Sequence, residues 1–445
     1  MSDALYTTPA LAAIFTPEGN LGQLLAFEAA LARAETRAGL IPAEAAEAIA
    51  AACRVELYDV MALYSDAARA GTLVIPLVRA LTAKVAEPGR AYVHWGATSQ
   101  DAIDTALMLQ LRAALNLIEA DLLRLAAACA RLAEAHRATL MPARTLLQQA
   151  LPMPFGLKAA RWLALVVRQA CTLRTQREQL AVQFGGAAGT LAALGEQGLA
   201  VADLLAAELG LVAPDLPWHA ERDRTASLAA ALGVAAGSMA KIGHDIVLLA
   251  QSEVGEVGEA SAPGKGGSSA MPQKRNPVDA VLAQAAARLA AGQVTVLLGA
   301  LAQEHERAAG GWQAEWQALP DLVRYTGGAV ARTADAITGL EVDSTRMRAN
   351  LEVGGGLLMA EALTLALAFQ LGRPEAVHLV QALCARAVTA QTSLAVIVAA
   401  DVQVSAVLSP AEITATLDPA NYLGSSGALI DRALERYHAL LTESS

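Results

Sequence analysis

The chain has 445 residues, enough for two or three ordinary domains or for one long helical bundle. Apolar residues make up 55% of it but aromatics only 4%, so the apolar mass is Ala, Leu and Val, which favours close-packed helices over aromatic-rich sandwiches. A formal charge of −10, with no Lys/Arg run interleaved with aromatics, argues against nucleic acid as a partner.

The opening residues, MSDALYTTPALAAIF, lack the basic start and long apolar run of an export signal. No uncharged apolar stretch reaches the length of a membrane span, so the expectation is a cytoplasmic protein with no membrane partner. From LGQLLAFEAALARAETRAGL (21–40) to residue 104 the elements are short, broken at Gly39, Pro42, Gly71, Pro76 and Pro88. Beyond this, Leu111, Leu115, Ile118, Leu122, Leu125, Cys129 and Leu132 alternate steps of four and three, as a packed helix seam requires. Leu228, Leu232, Ala235, Met239, Ile242, Ile246 and Leu249 repeat the pattern. A third helix, rich in Ala and Gly, follows Pro277 and is suited to close packing, including packing between subunits. From about residue 346 the elements shorten again, with breaks at 354–356, 371–374 and 408–413. The expected fold is all-α, in three helical domains: 1–104, a central long-helix bundle 105–345, and 346–445.

Cys53, Cys129, Cys171 and Cys384 show no paired spacing and read as reduced, buried small hydrophobes. The seven histidines show no HxxxH or HxH spacing, so neither a metal nor another cofactor is expected.

Four stretches carry polar chemistry in this apolar context. In GKGGSSAMPQKRNP (264–277), glycines permit a loop whose free N–H groups can bind an anion, and Asn276 with Pro277 reads as the start of the next helix. That start does not account for Ser268, Ser269, Met271 and Lys274 in one segment. In AYVHWGATSQDAIDTA (91–106), Thr98 and Asp101 fit a capping box, while His94 beside a Gly-Ala-Thr-Ser turn is placed to bind a carboxylate. PARTLLQQALPMPFGLK (142–158) sets Arg144, Thr145, Gln148 and Gln149 within an apolar run, where amides need partners in the backbone or a ligand. QEHERAAGGWQAEWQALPD (303–321) gathers His305, Arg307 and two tryptophans, which are unusual on a solvated helix end.

Together these stretches resemble the fumarase/aspartase superfamily over nearly the whole chain. GSSAMPQKRNP is similar to its signature loop, and HWGATSQD and RTLLQQALP occupy its two other shared regions in order; FGGAAGTLAALG (184–195) and ERDR (221–224) resemble its adenylosuccinate lyase-like branch. The resemblance implies a homotetramer with a central helical bundle and active sites each drawn from three subunits. The chain departs from the pattern where the superfamily's usual Thr-His reads Thr145-Leu146, where a first-domain histidine is Thr72, and where a glutamate seven residues after the signature lysine is Val281. These losses are similar to those of the bacterial carboxymuconate cycloisomerases, which also resemble the chain in IPLVRALTA and GGWQAEW. That resemblance implies lactonisation of a small tricarboxylate, 3-carboxy-cis,cis-muconate, by intramolecular carboxylate addition; the rivals are another superfamily lyase, such as an adenylosuccinate lyase-like enzyme, or an inactive structural member. The roles implied are Ser268 as proton carrier, with His94 as the second option, and Lys274 and Asn276 stabilising the aci-carboxylate. Thr98, Ser99, Thr145, Gln148, Ser269, Met271, Arg307, His305 and Arg144 are the substrate-binding residues.

Overall fold

The computed structural model of the chain describes residues 3–442 apart from residue 263. The fold is all-α, with two small two-stranded sheets.

The first long helix, α1 (Pro17–Arg37), begins where the Thr16 hydroxyl accepts the Gly19 N–H and Pro17 supplies a preset φ at the first turn. Its buried stripe of Leu21, Leu24, Leu25 and Leu31 has helical spacing, and Glu28 and Glu35 occupy buried positions of the same helix. Helix α2 (Ser99–Ala135) runs for 37 residues, about 55 Å at 1.5 Å per residue. The expected seam from Leu111 to Leu132 is buried as far as Cys129, with Leu132 half-buried, and the second seam, from Leu228 to Leu249 on α4 (Asp223–Ala250), is buried throughout. Helices α3 (Phe155–Glu178), α5 (Val278–Gly299) and α6 (Gly311–Thr338) complete the long set.

Strands β1 (Leu140–Thr145) and β2 (Gln148–Pro154) form an antiparallel hairpin in the PARTLLQQALPMP region. Its two-residue turn is Leu146-Leu147, with φ of 50° and 65°, the mirror-image geometry that matches strand twist and usually recruits Asn-Gly. A second pair joins β3 (Val257–Glu259) to β4 (Leu340–Val342).

The chain divides into two compact units, one of Met1–Leu123, Arg168–Lys241 and Leu282–Thr333, the other of Arg124–Val167, Ile242–Val281 and Ala334–Ser445. The first holds a core around Phe27, Leu31, Leu77, Leu81, Phe184 and Leu205. In the second, Leu363, Leu367, Val380, Leu383, Leu394 and Val398 form another. By length and composition alone, α4 and α5 are apolar enough to cross a membrane. On α4 those apolar positions are the buried seam. On α5, Val281, Leu289, Val296 and Leu298 are exposed in the single chain.

The four cysteines are free, and only Cys129 is fully buried. Burial pushes the Cys53 thiol up to about 12, aided by the charge of Glu28 and against that of Arg33, and raises those of Cys129 and Cys384. None of these three is a thiolate at neutral pH.

Candidate active site

In the first unit, the start of α2 is assembled around one buried carboxylate. Asp101 accepts the N–H groups of Gly185 (3.0 Å), Gly186 (2.9 Å) and Thr98 (3.0 Å), and its Oδ1 lies 2.7 Å from His219 Nε2. This fixes the first turn of α2 against the Gly185-Gly186 turn. A Cβ at Gly185 would fall 2.8 Å from the His219 ring, so the close approach requires glycine. Only half of the expected capping box forms: Asp101 takes the Thr98 N–H, while the Thr98 hydroxyl accepts from Arg307 Nη1 at 3.2 Å.

Arg307 also donates from Nε to Gln100 Oε1 at 3.1 Å, and its Nη2 is buried with no hydrogen-bond partner among the described residues. An unpaired buried guanidinium nitrogen is costly and suits an anionic partner. Behind Gln100 lies a charged network. Gln100 Nε2 donates to Asp104 (3.1 Å); Arg222 bridges Asp104 (2.7 Å) and Glu315 (2.5 Å); Trp312 Nε1 donates to Asp104 (2.9 Å). Trp312 is therefore buried and hydrogen-bonded on α6, whereas His305 is exposed with φ of 47°.

His94 sits at φ 58°, its Nδ1 2.6 Å from Glu28 Oε1, while Nε2 has no hydrogen-bond partner among the described residues. Burial lowers the basicity of this imidazole, but the charge and hydrogen bond of Glu28, with the charge of Asp101, outweigh it and raise the pKa above 6.5. Glu35, also on α1, is held protonated by burial first and by the Glu28 charge second, its pKa pushed up to about 9.

In the second unit, the loop 264–277 is closed at its neck. Asn276 N and Nδ2 both donate to Gly266 O, at 2.8 and 3.1 Å. Asn276 is therefore a clasp and not the helix cap expected from the Asn-Pro pair. The cap is Glu259, whose carboxylate accepts the N–H groups of Asp279 (3.2 Å) and Ala280 (2.8 Å) at the start of α5. A carboxylate reaching the helix end from β3 leaves the Asn276 amide to the loop. Lys265 pairs with Asp279 (2.6 Å) and Glu259, and Arg275 with Glu341 (2.9 Å). Lys274 is exposed and has no ion-pair partner among the described residues. The Ser268 hydroxyl oxygen accepts the N–H groups of Met271 (3.1 Å) and Ala270 (3.4 Å), contacts that favour its anionic form; Ser269 and Met271 are exposed.

On the hairpin, Thr145 and Gln148 flank the turn and are exposed, as are Leu146 (98%) and Leu147 (74%). Arg144 instead forms a two-pronged pair with the buried Glu256, at 2.7 and 2.9 Å, and Asn350 donates to the same carboxylate at 2.7 Å. Gln149 donates to Asn350 O. The structure thus joins Thr98 to Arg307 in the first unit; in the second it places Ser268, Ser269, Met271, Lys274 and Asn276 on one closed loop.

A family model described as lyase matches residues 4–295, and one described as adenylosuccinate lyase C-terminus matches residues 356–433. The chain belongs to this lyase family, the fumarase/aspartase superfamily. Among the relatives of this lyase chain, the 3-carboxy-cis,cis-muconate cycloisomerase of Bradyrhizobium diazoefficiens is 51% identical over 97% of the chain and 96% of the relative. That of Pseudomonas aeruginosa is 50% identical over 98% and 96%. The crystal structure of the 3-carboxy-cis,cis-muconate lactonizing enzyme from Pseudomonas putida superposes with a TM-score of 0.93, at 46% identity and 99% coverage of both chains.

Sequence reasoning missed Glu28, His219, Asp104 and Glu256 in this lyase. Glu28 alone left a local trace, as a carboxylate at a core position of an apolar stripe; the other three meet their charged partners Asp101, Arg222 and Arg144 across 118, 118 and 112 positions.

Proposed function

We propose that the protein is a 3-carboxy-cis,cis-muconate cycloisomerase, an intramolecular lyase that interconverts this diene tricarboxylate and 4-carboxymuconolactone in protocatechuate breakdown. The observation that carries the reading is near-full-length identity of about half to relatives of that name. In the forward direction a carboxylate of the substrate adds to the carbon beta to a second carboxylate, and the alpha carbon of the resulting aci-carboxylate takes a proton. No external nucleophile enters, and the reverse leaving group is a carboxylate that needs little acid assistance. Leucine at position 146, where the superfamily's usual residue is histidine, is compatible with that chemistry.

The substrate carries three negative charges, so the site has to supply positive potential from an acidic chain. Arg307 with its unpaired Nη2, Thr98, Ser99 and His94 are suited to hold carboxylates. Lys274, uncommitted where Lys265 and Arg275 are paired, is the cation for the doubly charged aci-carboxylate, where fixed charge lowers the barrier most. Ser268 is the proton carrier, its oxygen conditioned by the Ala270 and Met271 N–H groups. His94 is the second option for that role, because its pairing with Glu28 keeps a proton on the ring. Thr145, Gln148, Ser269, Met271 and His305 line the remaining substrate contacts; Arg144 acts by holding the hairpin to Glu256.

The assembly we propose is a cytoplasmic homotetramer whose active sites each draw on three protomers. The exposed apolar residues of α5 and the bare Leu-Leu turn support it. The division into 1–104, 105–345 and 346–445 remains our proposal for domain organisation. The test is a product assay: purified protein is given 3-carboxy-cis,cis-muconate and, separately, adenylosuccinate. Lactone from the first and no fumarate from the second is expected; the reverse would assign an adenylosuccinate lyase.

A further inference from the structure

Glu28 is a charged residue in a place where helical periodicity calls for an apolar one, and it is 2% exposed. Burying a carboxylate is costly unless it is paired. Its recorded partner is His94 Nδ1 at 2.6 Å, and its second oxygen, Oε2, is buried with no hydrogen-bond partner among the described residues. The side chain of His94 is 14% exposed, so the pair has a buried end at Glu28 and an open end at the histidine. Because the carboxylate claims Nδ1, the ring is held in one orientation and Nε2 is left for another partner.

We propose that Glu28 is a positioning residue of the reaction, fixing the His94 ring so that Nε2–H is presented as a charged donor to a substrate carboxylate. Two further observations bear on this. His94 lies four residues before Thr98, whose hydroxyl accepts from Arg307, so the segment that Glu28 anchors also touches the guanidinium whose Nη2 is unpaired. Of the two acids on the buried face of α1, Glu28 alone has a side-chain partner among the described residues, in His94, while both oxygens of Glu35 are buried without one and burial holds its proton to about pH 9. The titratable groups around the pair are Glu28 and Glu35 from α1, Cys53 and Tyr58, both under the influence of Glu28, Arg33, which acts on Cys53, and Asp101 from α2. Of these, Glu28 and Asp101 act on the imidazole directly, and both favour its charged form.

This inference rests on His94 belonging to the substrate site of the proposed cycloisomerase. The experiment uses the full chain and the variants Glu28→Gln, His94→Gln and the double variant. Each is read in two ways: the His94 titration by two-dimensional NMR of its ring nitrogens, assigned by its disappearance in His94→Gln, and KM and kcat with 3-carboxy-cis,cis-muconate from pH 5.5 to 9. Glu28→Gln should lower the His94 pKa and raise KM more than it lowers kcat. The expected fall in kcat/KM is on the order of 10- to 100-fold, the range that loss of the partner behind a metal-bound histidine costs. The double variant should be no worse than His94→Gln, because Glu28 acts through that ring. An unmoved His94 titration overturns the proposal, as does a double variant that loses activity additively. A lowered titration with unchanged kinetics overturns it too and removes His94 from the site, while leaving the reaction itself standing. Failure of the unsubstituted protein to turn over the substrate would instead strike the reaction. Should Glu28→Gln fold poorly, the shorter Glu28→Asp is read in the same way, with intermediate effects expected.

Discussion

Removing the Arg222 guanidinium while keeping its bulk, as in Arg222→Met, isolates the energetic weight of the buried network behind the Thr98 and Arg307 donors. Arg222 is 1% exposed in its side chain and bridges Asp104 and Glu315, each equally buried. It also lies 4.7 Å over the Trp218 ring. Loss of one partner from a buried ion pair costs roughly 3–5 kcal/mol, and the contact with the indole adds about 1 kcal/mol. Against this, Asp104 keeps the Trp312 and Gln100 donors and Glu315 keeps Gln303, at 2.9, 3.1 and 3.0 Å. The net expectation is a loss of about 3–4 kcal/mol in urea unfolding, followed by circular dichroism at one fixed protomer concentration. The loss should depend on pH with a definite sign. Glu315 already has a raised pKa, because burial outweighs the lowering effect of Arg222, and without Arg222 it rises further. A carboxyl with a folded pKa above its unfolded value loses stability as pH rises between the two, so the gap between the proteins widens as pH rises past the native Glu315 pKa of the unsubstituted protein. Neutralising the whole network with Asp104→Asn, Arg222→Met and Glu315→Gln should recover at least half of the loss. A gap below about 1 kcal/mol, or one independent of pH, would refute the reasoning.

Glu35→Gln should flatten the alkaline decline in thermal stability. The native carboxyl holds its proton to about pH 9 and the unfolded one releases it near 4.5, so stability drains across that window at no more than about 1.4 kcal/mol per pH unit; identical melting profiles from pH 5 to 9 would count against it. The Glu28–His94 pair has the same sign for a different reason: its contribution is complete below 6.5 and fades as pH passes the raised native value, which NMR titration of His94 will locate. Ser268→Ala should remove at least about 100-fold of kcat with the fold intact by circular dichroism, and near-normal turnover would end the serine assignment. Glu259→Gln removes both the charge that caps α5 and a partner of Lys265, and should cost about 1–2 kcal/mol in urea unfolding.

Much of the scaffold was legible because its signal is local. The seams from Leu111 to Cys129 and from Leu228 to Leu249 repeat at spacings that only a helix satisfies, and both are buried. The hairpin was not legible. Pro142, Pro152 and Pro154 interrupt strand patterning, and Leu146-Leu147 stands in a turn whose geometry normally selects Asn-Gly. The start of α5 shows a local rule overtaken by a distant one: Asn276 has cap chemistry, but Glu259 reaches the helix N–H groups first and the amide closes the loop instead. The polar stretches stood out as a candidate site through their composition. The supporting residues did not, because Asp104 meets Arg222 across 118 positions and Arg144 meets Glu256 across 112. His94 was singled out by its neighbours in sequence, whereas the carboxylate beside its Nδ1 lies 66 residues away, marked in the sequence only as a charge at a core position of a helix.

In the reaction we propose, a substrate carboxylate closes onto the beta carbon while the alpha carbon takes one proton. The most direct measurement is to run the reaction in deuterium oxide, following the loss of diene absorbance of 3-carboxy-cis,cis-muconate and identifying the product by NMR. Rapid loss of absorbance is expected, with 4-carboxymuconolactone carrying a single deuterium at the carbon alpha to the side-chain carboxylate. Undiminished diene absorbance, or a lactone without deuterium at that carbon, would contradict it.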